Sequence, residues 1–243
     1  MSQSVRRAAK IIDEIAAEPK TVMELAATFD LHRSTMFREL QALEEVGYVR
    51  RRKNGTYTLG LHLISLSRDA FENLDLRDAA HEHLRKLHRR TGNTLHLAAL
   101  MERSIVYVDK VEDASGVRMY SRIGAAVRPH CSGVGKAILA ELSATDRDVI
   151  LGKAKWEKYT DNTILTRGAL DTELEVVKKQ GWAVDDSEFE DFVNCVAVPI
   201  QSSAGVVGAL SLTAIRMVQN LQQLQVQIPL MQKTAALISR ELG

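Results

Sequence analysis

The chain has 243 residues, of which 45% are hydrophobic and 26% charged, and its formal net charge is +1. This composition is typical of an ordinary soluble protein rather than of a disordered chain, and the length permits two compact domains, each with its own core. Two cysteines, Cys131 and Cys195, are too few for a disulfide framework and are typical of a reducing cytoplasm. The first ten residues lack the apolar core of a signal peptide, and no apolar run approaches the ~20 residues of a membrane helix. We therefore expect a cytoplasmic protein that has no membrane partner.

The first residues of the chain predict three helices. Ser4 is placed to cap the first helix, whose apolar residues recur at helical spacing. Thr21 and Glu24 have the spacing of a capping box at the start of a short second helix. A third helix is predicted over 32–46, with Gly47 as its C-terminal stop. Its inward face carries four apolar residues, Met36, Leu40, Leu43 and Val46.

A β-hairpin is predicted directly after the third helix. Residues 48–52 and 56–59 have the composition of strands, and Asn54-Gly55 between them favours a tight turn, because both residues tolerate positive φ. Three helices followed by a two-stranded wing are typical of a winged helix-turn-helix, which binds the major groove of DNA. A three-helix interaction module with a solvated run of basic residues is the competing interpretation, and the order of caps, helices, hairpin and basic wing disfavours it.

The candidate DNA-binding residues lie at the start of the third helix and on the wing. Arginine can make two hydrogen bonds to guanine, serine and threonine can contact bases or phosphates, and basic wing residues can neutralise phosphates. These residues are Arg33, Ser34, Thr35, Phe37, Arg38, Arg50, Arg51, Arg52 and Lys53.

The rest of the chain predicts a second, larger domain. Residues 61–71 form an apolar-rich pattern without Gly or Pro, which predicts a helix that joins the two domains and offers a dimer contact. Asp75 is placed to cap the next helix, which stops near Gly92. Beyond it, strands are predicted at 94–100, 105–111, 117–121, 195–200 and 206–213, and helices at 133–142, at 170–180 and in a last segment restarted by Pro229. Strand pairs with helices outside them predict an α+β fold built on an antiparallel sheet.

Short motifs distributed along the whole chain have a specific order and spacing. They are Glu24-Leu25-Ala26, Leu31 to Arg38, Gly47-Tyr48-Val49, Tyr57 to Gly60, Thr91-Gly92, Leu95-His96-Leu97, Ile105-Val106-Tyr107, Gly133 to Ala137, Asp185-Asp186 and Cys195 to Pro199. With this order the chain resembles the IclR-type transcriptional regulators over nearly its full length. Segment 118–124 is also similar to the branch of that family that controls sugar-acid catabolism, such as regulators of 2-keto-3-deoxygluconate use.

The resemblance implies a protein that binds double-stranded operator DNA and a small metabolite, often a carboxylate. It implies a homodimer, or a homotetramer built as a pair of dimers, and leaves repression and activation both open. The organisation it implies is a winged helix-turn-helix at 1–60, a linker helix at 61–74, and a GAF-like effector-binding and oligomerisation domain at 75–243.

The resemblance also implies the position of the effector pocket. Carried over by position, its residues are Gly133, Val134, Asp185, Cys195, Ser211 and Thr213, to which Met119 is added from the sugar-acid-like segment. Arg128 or His130 would supply a counter-charge for an acid. Phe192 stands where the family usually has a glycine, and we expect it to narrow the pocket or to wall the ligand.

Elementary chemistry supports part of that pocket. Ser132 is placed to cap a helix that begins at Gly133, and the free N–H groups of a helix start attract a carboxylate. Ser211 and Thr213 stand two apart on a predicted strand, so their side chains point to the same face. Both could instead serve simple core packing, as could Cys195, which we expect to pack rather than to react.

An enzyme is disfavoured by the motifs that come nearest to one. Gly135-Lys136 lacks both the earlier glycine and the following Ser or Thr of a phosphate loop. The run 133–135 lacks the third glycine of a dinucleotide fingerprint, and His130-Cys131 has no apparent partner that would orient a catalytic base. We therefore expect neither catalytic residues nor a cofactor.

A metal site and a purely architectural role are both disfavoured as well. His81, His83 and His88 lie close together, but none has a His or Cys four residues away, as zinc motifs on helices require. A solvated basic helix is the preferred interpretation, and no metal is expected. A DNA-binding scaffold without an effector is disfavoured because the second domain is larger than dimerisation requires.

Overall fold

A computed structural model describes residues 3–72, 75–112, 121–152 and 156–243 of the chain. The chain divides into two compact units, residues 1–73 and 74–243.

The N-terminal unit contains four helices and a small antiparallel sheet. In chain order these elements are α1 (Gln3–Ala17), β1 (Lys20–Thr21), α2 (Val22–Thr28), α3 (Arg33–Glu45), β2 (Val49–Arg51), β3 (Thr56–Leu59) and α4 (His62–Glu72). Strand β3 lies between β1 and β2. The predicted three helices and wing are confirmed, and the short strand β1 adds a third strand that the pattern did not predict.

The helix starts agree with the prediction in one case and differ in another. The Thr21 hydroxyl accepts from the N–H of Glu24 at 3.3 Å, and the Glu24 carboxylate accepts from the N–H of Thr21 at 2.7 Å, so the capping box is confirmed. The prediction that Ser4 caps α1 is wrong, because α1 already includes Gln3. Helix α3 begins after His32, whose side chain makes no capping bond.

The end of α3 corrects the predicted inward face. Met36, Leu40 and Leu43 are buried in the core of this unit, but Val46 is 53% exposed, so its assignment to that face is wrong. Val46 is the C-cap, where the helical path ends and the chain turns through Gly47 at φ +76°. The side chain at the turn therefore leaves the direction of the buried stripe.

The turn of the wing also differs in detail. Of its two central residues only Gly55 has a positive φ, at +85°, while the Asn54 carboxamide oxygen accepts from the N–H of Thr56 at 3.2 Å. The N–H of Gly55 donates to the Arg52 carbonyl at 3.0 Å. The turn is a longer loop with glycine in the left-handed position, rather than a two-residue turn with positive φ at both positions.

The C-terminal unit is a five-stranded antiparallel sheet with helices packed against it. Its elements are α5 (Asp75–Thr91), β4 (Thr94–Met101), β5 (Ser104–Val111), α6 (Gly133–Glu141), α7 (Ala144–Leu151), α8 (Arg167–Gln180), β6 (Ala183–Asp186), β7 (Val193–Ser202), β8 (Gly205–Ile215), α9 (Leu221–Gln225) and α10 (Ile228–Leu242). The strand order is β5-β4-β8-β7-β6. The predicted α+β class is confirmed.

Several local predictions in this unit need correction. The strand predicted at 117–121 lies mostly outside the described residues, and Ser121 itself is not in a strand. Asp75 is the first residue of α5 rather than the cap before it. Helix α7 and strand β6 were not predicted, because each is short and β6 ends in two acidic residues that weaken a strand pattern.

Helix α6 lies at the centre of this unit. Almost every one of its residues is buried, and it packs against the sheet and against α8 in one continuous apolar cluster. A helix that is buried on all sides is expected to be apolar all round, and the run 133–140 is so except for Lys136. The first turn of α6 is thereby held next to strands β6, β7 and β8.

Candidate nucleic-acid interface and ligand pocket

The predicted DNA-binding side chains lie at the start of α3 and on the wing, and all but one of them are exposed. Arg33, Ser34, Phe37 and Arg38 are exposed, whereas Thr35 is half-buried. The wing residues 50–53 are all exposed. Because the opposite side of α3 is packed into the core, its N-terminal end is free to enter a groove.

Two contacts hold this surface in shape. The Arg7 guanidinium of α1 donates through Nε to both carboxylate oxygens of Glu39, at 2.9 and 3.0 Å. The N–H of Arg51 donates to the Glu44 carboxylate at 2.9 Å, which ties the wing to α3. Helix α3, which the sequence predicts to be the recognition helix that enters the major groove, is thus tied to α1 on one side and to the wing on the other.

The C-terminal unit contains a cavity of about 250 Å³ between the sheet, the start of α6 and the segments around 125 and 190. It brings together all six residues that the resemblance implied by position. They are Gly133, Val134, Asp185, Cys195, Ser211 and Thr213. Strand register explains this, since Asp185 stands opposite Cys195, and Cys195 opposite Thr213, so all three side chains point to one face.

The start of α6 forms one wall of the cavity. The Ser132 hydroxyl accepts from the N–H of Gly135 at 3.3 Å and donates to the Arg128 carbonyl at 2.7 Å, so the predicted cap is present. The N–H groups of Gly133 and Val134 lie in the first turn, where no helical carbonyl can accept from them. This end of the helix carries partial positive charge and is suited to an anion.

This helix start requires glycine because atoms of β7 and of the preceding loop lie too close to leave room for a side chain. A Cβ on Gly133 would lie 3.0 Å from the Cys195 sulfur, and one on Gly135 would lie 2.6 Å from Cα of Pro129. The second contact is with backbone, which cannot move aside. The glycines therefore let α6 approach both β7 and the preceding loop.

Asp185 supplies an unusual carboxyl group to the cavity. It is buried, and one of its oxygens accepts from the N–H of Glu188 at 2.7 Å. Burial raises the pKa of Asp185 to about 7, and the nearby Glu188 carboxylate acts in the same direction. At neutral pH a substantial fraction of this group is protonated and can donate a hydrogen bond to an anion.

The two cysteines are free and buried. Burial raises the pKa of Cys195, and likewise that of Cys131, to about 12. Both are therefore thiols at neutral pH, as expected for cysteines that pack rather than react. Only Cys195 lies on the wall of the cavity.

Several further wall residues were not predicted, among them His96, Tyr107 and Phe189. The ring of His96 lies 2.6 Å from the Ser121 hydroxyl through Nε2, and 3.4 Å from the Thr213 hydroxyl through Nδ1. Burial lowers the pKa of His96 to about 3, so the ring is neutral and offers one donor and one acceptor. A histidine inside an otherwise apolar strand was the signal that could have identified it.

The structure corrects two of the expected pocket residues and does not describe a third. His130 is not on the cavity wall; its ring packs on Trp156, with 5.2 Å between ring centroids. Phe192 is also absent from the wall and is 38% exposed; it lies in the turn just before β7. Met119 lies outside the described residues. Arg128 does reach the cavity.

A buried ion pair lies behind the cavity. The ammonium of Lys136 is fully buried and pairs with the Glu188 carboxylate, with Glu173 as a second partner at 3.5 Å. Lys136 therefore points into the protein, in keeping with the failed match to a phosphate loop. The sequence did not reveal that Glu188 connects this lysine to Asp185.

The three clustered histidines of α5 face different partners. His81 contacts the Asp109 carboxylate at 2.6 Å, His83 contacts Glu241 at 2.7 Å, and His88 contacts a backbone carbonyl at 2.8 Å. Over residues 3–72, 75–112, 121–152 and 156–243, no group of three or more His, Cys, Asp or Glu could hold a metal ion. Within the same ranges no helix is both long and apolar enough to cross a bilayer.

Comparison with known families agrees with both units. Residues 4–53 match the IclR helix-turn-helix domain, and residues 68–240, more than half of the chain, match the family described as bacterial transcriptional regulator IclR C-terminal. A helix-turn-helix with an exposed recognition helix, joined to a sheet domain with a ligand-sized cavity, defines a DNA-binding transcriptional regulator rather than an enzyme. The chain belongs to the IclR family of bacterial transcriptional regulators.

Individual relatives cover nearly the whole chain. The regulator KdgR of Escherichia coli is 34% identical over 91% of this chain and 85% of its own length. The crystal structure of Thermotoga maritima IclR superposes with a TM-score of 0.74 at 32% identity, covering 99% of this chain and 98% of that one. An IclR homologue from Microbacterium hydrocarbonoxydans, in complex with 4-hydroxybenzoate, has the same fold, with a TM-score of 0.82 at 21% identity and 99% coverage of both chains.

Proposed function

We propose that this regulator changes its affinity for operator DNA when a small carboxylate binds in the cavity of the C-terminal unit. The observation that carries the proposal is the meeting of a helix start with polar side chains in one cavity. Gly133 and Val134, whose N–H groups have no helical acceptor, border the same space as the hydroxyl-bearing residues Ser211 and Thr213.

The chemistry of the walls favours an acid over a cation or a purely apolar molecule. The start of α6 attracts negative charge, and the raised pKa of Asp185 keeps part of that group protonated, so that it can donate a hydrogen bond to a carboxylate oxygen. The hydroxyls of Ser211 and Thr213, which also contact the neutral ring of His96, can bond to the hydroxyl or keto oxygens of a sugar acid or 2-keto acid. The ring of Phe189 and the methyl groups of Ala125 and Ala126 cover the remaining apolar surface. The carboxylate in the Microbacterium homologue is a precedent for this ligand class.

In this proposal each part of the chain has a separate function. Residues 1–60 bind DNA, residues 61–74 connect the domains, and residues 75–243 bind the effector and self-associate in the cytoplasm. A homodimer, alone or paired into a tetramer, places two recognition helices in major grooves about one helical turn apart on a palindromic operator. The effector acts because it binds more tightly to one of two states that differ in DNA affinity, typically by about 1–3 kcal/mol of coupling.

The test begins with a thermal-shift screen of the full chain against 2-keto acids, sugar acids and 4-hydroxybenzoate. A stabilising acid is then titrated into the protein by calorimetry and into a complex of the protein with its upstream DNA. Asp185→Ala and Ser211→Ala should lower affinity for the acid, whereas the exposed neighbour Asp186→Ala should not. Strong DNA binding with no response to any acid would refute the effector part of the proposal and leave the regulator standing.

A further inference from the structure

The end of the recognition helix α3 is also the place where helix α4 begins. The N–H of Tyr48 donates to the Leu43 carbonyl and the N–H of Gly47 to the Glu44 carbonyl, each at 2.9 Å. This double closure, with Gly47 in the left-handed conformation, gives the end of α3 a single defined geometry. Any element attached to Gly47 and Tyr48 therefore takes its direction from α3.

The start of α4 is attached there by backbone contacts. The N–H of Gly60 donates to the Tyr48 carbonyl at 2.8 Å, and the N–H of His62 donates to the Gly47 carbonyl at 3.3 Å. The two chain segments come so close that a Cβ on Gly60 would lie 2.0 Å from the Gly47 carbonyl oxygen. No side chain other than hydrogen fits between them.

A pair of rings closes the same junction on its outer side. The rings of Tyr48 and His62 are stacked, with 5.5 Å between their centroids and 9° between their planes. Tyr48 follows α3, and His62 is the first residue of α4. Backbone bonds and a glycine contact fix the distance between the two segments, and the stacked rings resist rotation of one segment about the other.

We propose that Tyr48 and His62 are positioning residues that hold α4 as a rigid arm of the DNA-binding unit. The direction of α4 then sets the direction in which α3 meets DNA. This inference rests on the proposed dimer, in which each chain presents one recognition helix to one half-site. In a dimer held together through three exposed apolar side chains at and just before α4, Leu61, Ile64 and Leu66, a rigid arm fixes the distance between the two recognition helices, and this distance selects the spacing of the half-sites.

The test measures the spacing between half-sites and the sequence of each half-site separately. Full-length wild type, His62→Ala, His62→Phe and Val46→Ala are each used to select DNA from a random duplex library, and the bound fractions are sequenced. The matched control is Val46→Ala, since Val46 is an exposed apolar residue of the same junction that lies outside α4 and takes no part in the ring pair. His62→Phe keeps a ring in place and should behave as wild type.

The expected result is one half-site sequence for all four proteins and a broader spacing distribution for His62→Ala alone. Its enrichment of the preferred spacing over neighbouring spacings should fall about 2- to 10-fold, the range expected for loss of one ring pair. An unchanged spacing distribution in His62→Ala, or a changed half-site sequence, would overturn the positioning role. If the wild type selects single, unpaired half-sites, the proposed dimer is refuted, and this inference with it. If the wild type and His62→Ala both select one sharp spacing, only the rigid arm is refuted.

Discussion

Replacement of Asp185 by Asn should change how the stability of the C-terminal unit depends on pH. In the wild type this buried carboxyl group has a pKa of about 7, raised from 3.8, chiefly because burial disfavours its ionised form. Asparagine has nearly the same shape and cannot ionise. Its amide oxygen can still accept the hydrogen bond from the N–H of Glu188.

The magnitude follows from the size of the pKa shift. A carboxyl group whose pKa is higher in the folded than in the unfolded protein contributes to stability in its protonated form. This contribution is fully present below pH 3.8 and is lost as the pH rises through 7. A shift of about three units corresponds to about 4 kcal/mol at 1.36 kcal/mol per unit. Over the practical window from pH 5 to pH 7, the Asp185→Asn variant should gain about 2–3 kcal/mol of unfolding free energy relative to the wild type.

The assay is urea unfolding at several pH values, followed by tryptophan fluorescence. Both tryptophans, Trp156 and Trp182, belong to the C-terminal unit, so the signal reports that unit alone. The control is Asp186→Asn, which makes the same chemical change at the exposed next residue. If the difference between Asp185→Asn and wild type stays constant from pH 5 to pH 8, a protonated buried carboxyl is refuted, and with it the donor role given to this group in binding an acid.

Three further outcomes are expected. Arg38→Ala should weaken operator binding by about 1–3 kcal/mol, as measured by fluorescence anisotropy. The control Arg85→Ala, which removes an exposed arginine of the C-terminal unit, should leave operator binding unchanged, and equal losses in both variants would argue against a contact between α3 and DNA. Gly135→Ala should destabilise the C-terminal unit by about 1–3 kcal/mol in urea unfolding, because the new Cβ would lie 2.6 Å from backbone. The control Gly168→Ala has open space around the new Cβ, and its unfolding free energy should stay within about 1 kcal/mol of the wild-type value. Ser132→Ala should cost the same unit about 0.5–2 kcal/mol through loss of the cap of α6, and an unchanged urea midpoint would show that the cap is dispensable.

Much of the N-terminal unit could be predicted because its signals are local. The capping box of Thr21 and Glu24 and the stop at Gly47 each depend on residues within a few positions of one another, and the structure contains both. The errors there are also local in origin. Helical spacing places Val46 on the buried face, but the helix ends before that spacing applies.

The pocket could be predicted only in part. Its six implied residues came from a resemblance, and elementary chemistry supported only the cap at Ser132 and the common face of Ser211 and Thr213. The contributions of His96, Tyr107 and Phe189 depend on the order in which five strands pair, which no local pattern contains. For the same reason the aromatic wall expected from Phe192 is provided by Phe189, three residues earlier.

The sequence alone was enough to determine the two-domain α+β organisation, the winged helix and the start of α6, because caps, turns and periodic burial act over short distances along the chain. Tertiary structure decided the pairing of Lys136 with Glu188, the raised pKa of Asp185 and the stacking of Tyr48 on His62. Each of these depends on which distant segments are brought together and on how much water they exclude, and both are set only when the sheet and its helices pack.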